Sequence, residues 1–448
     1  MPAFILYPLS FIVVLGIMIV VHEWGHFAAA KLLGVRVETF SVGFGPRLFG
    51  FRRGDTDYRI SAIPLGGYVK MSGENPMDER SGDPAEFLSH PRWHRFLIAI
   101  AGPFMNIVLA VAMLTGIYMF HYSRPAYLDE PAVIGWVDDS SPAAKAGIKP
   151  GDRIVQLDEL QNPTWEQVFY KEMLSPNQKL PVSVQRGTEN ISTSVVPDAV
   201  GLDKYGDAGW SPDDPVVITA LEGGMPAAKA GAKLGDEVVS IDGVAVRSLR
   251  GMIKYLQTTN GKPVELLAQR NGQPIKLQMV PVMTPVEGAK ESRYRLGIAS
   301  RREKIEKLAF PLAFKKSLQD NRKNSFLALE LIQKLIRAKV SIKQIEGPIR
   351  IGQAAGDAVQ EGVQDRGWTP LLQLMAAISL QLGVFNLLPI PILDGGVILL
   401  LLIESLMRRE ISLVIKERVY QTAFVFLLIF ASVVIFNDIS KVLPHAMQ

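Results

Sequence analysis

The chain has no cysteine. Disulfides, thiolate metal sites and cysteine nucleophiles are therefore all excluded. Histidine is scarce, with six in 448 residues, so any metal must be held by His, Asp and Glu. No Lys or Arg precedes Lys31. The N-terminus thus lacks the basic segment of a secretory signal, and the first apolar stretch reads as a retained span. Excess charge is also missing: a net charge of +4 is small for this length and does not argue for a nucleic-acid partner. No nucleotide partner is expected either. Hydrophobic residues make up 48% and charged residues 21%, a mixture that suggests membrane spans joined to a substantial soluble portion.

Within that frame one stretch stands out. Phe11 to Val21 is apolar enough to lie in a bilayer, and it runs directly into His22-Glu23-Trp24-Gly25-His26. On a helix, residues four apart project from one face. Two neutral imidazoles so placed can bind one Zn²⁺, and Glu23 between them can take a proton from the attacking water. Ionisable side chains in a membrane segment cost about 3 to over 10 kcal/mol each, so they are functional candidates by default.

Four apolar segments are expected to span: about 4–29, 96–120, 371–403 and 419–436. The loop after the first carries Lys31, Arg36, Arg47, Arg52, Arg53, Arg59, Lys70, Arg80, Arg92 and Arg95, and the loop after the third carries Arg408, Arg409, Lys416 and Arg418. The excess of basic residues places both loops in the cytoplasm and leaves both termini and region 121–370 outside. The first loop, 33–95, reads as short strands punctuated by turns: Gly43-Phe44-Gly45-Pro46, Leu48 to Phe51, Tyr58 to Ile63 and Gly66 to Met71. Such a sheet either tidies the loop or offers an exposed edge to which a substrate adds as a further strand.

The external region contains an internal repeat. Ser141-Pro142-Ala143-Ala144-Lys145-Ala146-Gly147 recurs as Met225-Pro226-Ala227-Ala228-Lys229-Ala230-Gly231. Gly151-Asp152 recurs as Gly235-Asp236, and Gln185-Arg186 as Gln269-Arg270. Each copy, about 126–220 and 221–300, has the pattern of a small α+β domain and resembles bacterial PDZ domains. That resemblance implies a groove for an extended peptide; bulk exclusion is the other role open to the pair. Region 301–345 is basic and amphipathic, with Phe326, Leu329, Ile332 and Leu335 at helical spacing, as in helices that lie on a membrane surface or pack on a neighbouring domain.

A zinc hydrolase site holds three protein ligands and leaves one position open. His90 and His94 lack an intervening Glu, and Pro91 leaves His90 outside the helix it starts, so they read as ordinary loop residues. The third apolar segment offers Asp394, the only acidic residue between Arg366 and Glu404. It follows Pro389 and Pro391, which break the helix, and irregular backbone at membrane depth is tolerated only against protein or a water-filled cavity. Asp394 either binds the metal or caps the helix that follows.

HEWGH at the end of the first span, the GFGP loop and NLLPIPILDGG in the third resemble the site-2 protease family of intramembrane zinc metalloproteases. The resemblance implies a polytopic α-helical membrane protein with four transmembrane helices, a membrane-associated β-hairpin or sheet after the first, and two tandem PDZ-like domains. It implies Zn²⁺ on His22, His26 and Asp394, with Glu23 as general acid/base. It also gives Asn386 a role in holding the substrate backbone, which the Gly43, Phe44 and Gly45 strand would keep extended. The implied substrates are single-span proteins: an RseA-like anti-sigma factor of the sigma-E stress response after a first external cut, and remnant signal peptides. The family setting is the bacterial inner membrane, the PDZ-like domains periplasmic and the active site near the cytoplasmic side. A non-catalytic adaptor that holds peptides through its PDZ-like domains is one other reading; a divalent-metal transporter is a second, against which the near absence of ionisable residues in the second and fourth spans counts.

Overall fold

A computed structural model describes residues 3–74, 82–120, 122–201, 204–285, 292–300, 302–363 and 367–446. Its longer helices are α1 (Ala3–Leu32), α2 (Arg92–Phe120), α3 (Trp165–Met173), α4 (Leu249–Thr258), α5 (Phe310–Ile336), α6 (Pro348–Glu361), α7 (Thr369–Asn386), α8 (Asp394–Met407) and α9 (Leu413–Ala446). The chain divides into two compact units, one made of 1–122, 307–333 and 345–448, the other of 123–306 and 334–344.

Four helices of the first unit are long and apolar enough to cross a membrane: Phe4–Leu32, Arg92–Phe120, Thr369–Asn386 and Leu413–Lys441. Segment 371–403, expected as a single broken span, is two helices. The chain leaves α7 at Asn386, turns through Pro389 and Pro391, and re-enters helix at Asp394. The turn is tight enough to demand the two glycines that follow. A Cβ on Gly395 would lie 2.3 Å from the Leu388 carbonyl oxygen, and one on Gly396 would lie 2.2 Å from that of Ile390.

Small residues also set the approach of α1 to α2, where a Cβ on Gly25 would meet the Ala101 carbonyl at 2.3 Å. Gly347-Pro348 reads in the sequence as a chain break, yet helix α6 starts there. Proline at the first helical position starts a helix instead. Asp438 of α9 caps it, accepting from the N–H groups of Gly347 (2.9 Å), Ile349 (3.0 Å) and Arg350 (3.2 Å). Amphipathic region 301–345 opens with a strand, Glu303–Glu306, and becomes helical at Phe310. Helix α5 is fastened to α2 by Thr115 with Ser317 (2.8 Å) and by Tyr118, whose hydroxyl donates to Asp320 (2.7 Å).

Between α1 and α2 the chain forms a sheet from two long strands, Val37–Arg53 and Thr56–Met71, that fold back on themselves. Residues 39–42 pair with 67–70 on one side and with 57–60 on the other, while 49–53 pair with 56–60. Segment 67–71 is therefore an outer edge.

The second unit contains the two repeats. Each is a four-strand antiparallel path with one main helix: Leu160–Gln161, Arg153–Leu157, Leu180–Arg186 and Glu189–Val195 with α3, then Val216–Val217, Glu237–Ile241, Val264–Arg270 and Gln273–Met279 with α4. The cores correspond residue for residue. Ile134, Ala143, Ile154, Leu157, Val182 and Val184 in the first match Ile218, Ala227, Val238, Ile241, Leu266 and Ala268 in the second, all buried. The recurring Asp and Arg also find their reason. Arg186 forks onto Asp152 at 2.7 and 2.8 Å and donates to the Gly147 carbonyl, and Arg270 repeats this on Asp236 at 2.7 Å twice and on Gly231. Bidentate guanidinium–carboxylate geometry of this kind ties the Gly-Asp turn to the third strand.

Candidate metal centre

Helix α1 carries His22 and His26 one turn apart, both buried, with their Nε2 atoms 3.2 Å from each other. The first turn of α8 brings Asp394 against them. Its Oδ2 lies 3.1 Å from His22 Nε2 and its Oδ1 lies 3.4 Å from His26 Nε2. One donor atom from each of the three residues falls within 4.8 Å of the others. A tetrahedral ion with bonds of about 2.0–2.2 Å needs ligand atoms roughly 3.3–3.6 Å apart. Two imidazoles and a carboxylate at these separations fit zinc, and all three side chains line a cavity of about 630 Å³.

Glu23 lies one residue from His22 and lines the same cavity. Its carboxylate is held by the sheet, since the Val69 N–H donates to Oε2 at 3.1 Å. The Met71 N–H, two residues further along the same edge, donates to Glu74 Oε2 at 3.2 Å. Successive outward donors of the 67–71 edge therefore both point at carboxylates. A Cβ on Gly67 would stand 2.8 Å from the Ser41 carbonyl, so the pairing of this edge with the neighbouring strand calls for glycine, while Glu23 Cγ at 3.5 Å would remain in ordinary contact.

Asn386, the last residue of α7, lines the cavity together with His22, Glu23, His26 and Asp394. Gly43, Phe44 and Gly45 lie within the same sheet but not on the edge that touches Glu23. Phe44 stacks on Tyr68 with centroids 6.0 Å apart and planes 8° from parallel, while Gly43 crowds the Ile63 carbonyl. His90 and His94 meet through Nδ1 atoms 2.9 Å apart, and no carboxylate joins them in a metal-ligating group among the described residues.

Three contributors from α2 carried no ionisable signal in the sequence. The Ile98 carbonyl accepts from His26 Nδ1 at 2.7 Å. Asn106, fully buried, has its amide 3.3 Å from His22 Nδ1. Between them Gly102 faces both rings. A neutral amide and a Gly-Pro pair inside an otherwise apolar span were the available clues.

Residues 10–430 match the family described as Peptidase family M50. The chain belongs to peptidase family M50. Curated relatives are similar over nearly the whole length. "Regulator of sigma-E protease RseP" of Salmonella typhimurium is 31% identical over 96% of this chain and 98% of its own. The Escherichia coli protein of the same name is 30% identical with the same coverage. A Vibrio cholerae protein named as a zinc metalloprotease is 31% identical over 97% of this chain and 98% of its own. Among solved structures, a PDZ domain of a Listeria monocytogenes SdrC-like protein covers 20% of this chain and 90% of that chain, at 21% identity with a TM-score of 0.17. Membership of family M50 makes the chain a membrane metalloprotease, with the His22, His26 and Asp394 cluster as its candidate centre.

Proposed function

We propose that this protein is an intramembrane zinc endopeptidase that cuts the transmembrane segments of single-span proteins. The observation that carries this reading is the convergence of His22, His26 and Asp394 beside a Glu23 anchored on a sheet edge. His22, His26 and Asp394 would hold the ion. When bound there, Zn²⁺ supplies Lewis-acid polarisation of the scissile carbonyl and lowers the pKa of water toward about 7. Glu23 takes the proton of the attacking water and delivers it to the leaving amine.

A substrate helix hides its backbone in its own hydrogen bonds, so it must unwind before attack. Addition to the 67–71 edge would hold it extended and replace those bonds, while Asn386, which lines the same cavity, would steady the backbone and Gly43, Phe44 and Gly45 support the sheet. Exposed Leu48, Phe49, Phe51 and Ile60 on that sheet suit contact with lipid, and exposed Phe310, Phe314, Leu318 and Phe326 suit an interfacial α5. The relatives favour a bacterial inner-membrane setting, and the basic loops would put the site near the cytoplasmic side and leave both termini and the repeats periplasmic. The two repeats, in a PDZ-like role, would bar substrates that still carry a folded external domain. The relatives' names favour an RseA-like anti-sigma factor after a first external cut as one substrate, and remnant signal peptides as another.

The experiment is metal analysis and cleavage of a single-span test substrate by purified wild type and Asp394→Ala. One zinc per chain and cleavage are expected for wild type, with loss of both in the variant. Unchanged zinc in Asp394→Ala would remove this residue from the centre.

A further inference from the structure

A zinc-binding imidazole uses one nitrogen on the metal, and its other N–H needs an acceptor that fixes ring and tautomer. For His26 the acceptor is settled. A carbonyl can only accept, so the Ile98 oxygen at 2.7 Å requires the proton on Nδ1 and leaves the Nε2 lone pair facing Asp394 and His22. His22 Nε2 occupies the equivalent position, and among the described residues the polar group hydrogen-bonded to its Nδ1 is the side-chain amide of Asn106 at 3.3 Å.

Asn106 is fully buried. As placed, its Nδ2 is the atom nearest His22 Nδ1, and its Oδ1 has no hydrogen-bond partner among the described residues. An amide left half-satisfied inside a helix bundle costs stability, commonly about 1–3 kcal/mol for the unpaired group. Its backbone is nevertheless pinned, since Ser379 of α7 donates its hydroxyl to the Asn106 carbonyl at 2.8 Å. The burial of this amide is therefore not accounted for by packing satisfaction. It is accounted for by the one contact with a metal ligand.

The direction of that contact follows from the chemistry of imidazole. If Nδ2 faced the ring, His22 Nδ1 would have to accept, the proton would move to Nε2, and the lone pair needed for the metal would be lost. With Oδ1 facing the ring, Nδ1–H donates and Nε2 is free. The two amide faces differ by a half-turn about the terminal bond, and geometry alone does not distinguish them. We infer that Asn106 is the positioning residue of the metal centre, accepting from His22 Nδ1–H through Oδ1 and so holding His22 in its zinc-binding tautomer.

This rests on the zinc reading of His22, His26 and Asp394, and the test separates the two. Zinc affinity is measured by chelator competition on the purified full-length wild type, Asn106→Leu and Asn106→Asp, with the absorption spectrum of the cobalt(II)-substituted proteins as a second readout. Leucine keeps the volume and removes the acceptor. Aspartate keeps an acceptor and removes the donor. Asn106→Leu is expected to bind zinc about 10–100-fold more weakly, whereas Asn106→Asp stays within about 3-fold of wild type and keeps its cobalt spectrum. Asn106→Leu binding within about 3-fold of wild type would overturn the inference. So would an Asn106→Asp as weak as Asn106→Leu, which would mark a donor or purely structural role. If Asn106→Leu does not fold, Asn106→Asp decides alone: retention of zinc supports the assignment and loss overturns it. A wild type that binds no zinc would instead sink the zinc reading and this inference with it.

Discussion

Gly102 and His26 stand so close that a single methyl group cannot be placed between them. A Cβ on Gly102 would lie 2.3 Å from His26 Nε2 and 2.9 Å from His22 Cε1. Helix α2 thus offers the two ligand rings a carbonyl at Ile98, a bare Cα at Gly102 and an amide at Asn106. These positions are four apart, so they fall along one face. Gly102→Ala is expected to push at least one imidazole off its position and lower zinc affinity more than 10-fold. The change itself suits a helix, since alanine is the better helix former. Zinc titration of the variant against wild type decides it, and unchanged affinity would show that the rings have slack.

Glu23→Gln should separate metal binding from chemistry. Glutamine keeps an oxygen to accept the Val69 N–H, so the local geometry survives, but it cannot carry a proton. The expected outcome is full zinc content with cleavage reduced about 10²–10⁴-fold. His22→Ala, which removes a ligand, should lose zinc and cleavage together. Full activity in Glu23→Gln would mean that another group is the base.

The edge at 67–71 carries its own competitor. A substrate strand that adds there must displace Glu74 from the Met71 N–H. Glu74→Ala removes that competitor and should lower KM several-fold with kcat little changed, because Glu23 rather than Glu74 is the proposed proton acceptor. Steady-state kinetics on a single-span substrate provide the readout, and a raised KM would show that Glu74 helps to bind substrate.

Glu172 makes the repeat unit sensitive to pH. It is buried on α3 and accepts from the Trp210 indole N–H. Burial pushes its carboxyl up to about 8, from an ordinary value near 4.3. An acid with a raised folded pKa has its full stabilising effect below the unfolded value and loses it as pH rises through the folded one. Thermal stability of the wild-type unit should therefore fall between about pH 5 and 8, and Glu172→Gln should flatten that slope. Thermal melts of the full chain followed by tryptophan fluorescence, which samples Trp210, test this. Parallel slopes in the two proteins would contradict it. Asp236 works in the opposite sense: hydrogen bonds from Arg270 hold its carboxyl below the ordinary value, so its contribution is lost on acidification.

What the sequence made legible was whatever carries a period or a charge. His22 and His26 announce a helix face, Asp394 is conspicuous as a lone carboxylate, and an offset of 84 exposes the repeat down to the Arg–Asp pairs. The rest was hidden for physical reasons. The Ile98 carbonyl belongs to every residue's backbone and has no sequence signal. Gly102 and Asn106 are uncharged and sit in an apolar run. Pro389 and Pro391 marked the break in the third segment, yet hydropathy stayed high on both sides, so two helices looked like one. Strand order within 37–71 could not be read either, because the edge facing Glu23 is fixed by pairing across the sheet rather than by alternation along it.

Because Asp394 enters more than 360 residues after His26, the cluster has a place in the life history of the molecule as well as in space. A ribosome that has delivered α1, the sheet, α2 and both repeats to the membrane has made a chain with two ligands and a poised Glu23. That chain cannot assemble the centre until the proline turn and the start of α8 have been inserted. On the proposed reading, nascent or truncated chains that lack Asp394 would hold an incomplete centre. On that reading, competence to cut would arrive only once the start of α8 is in place.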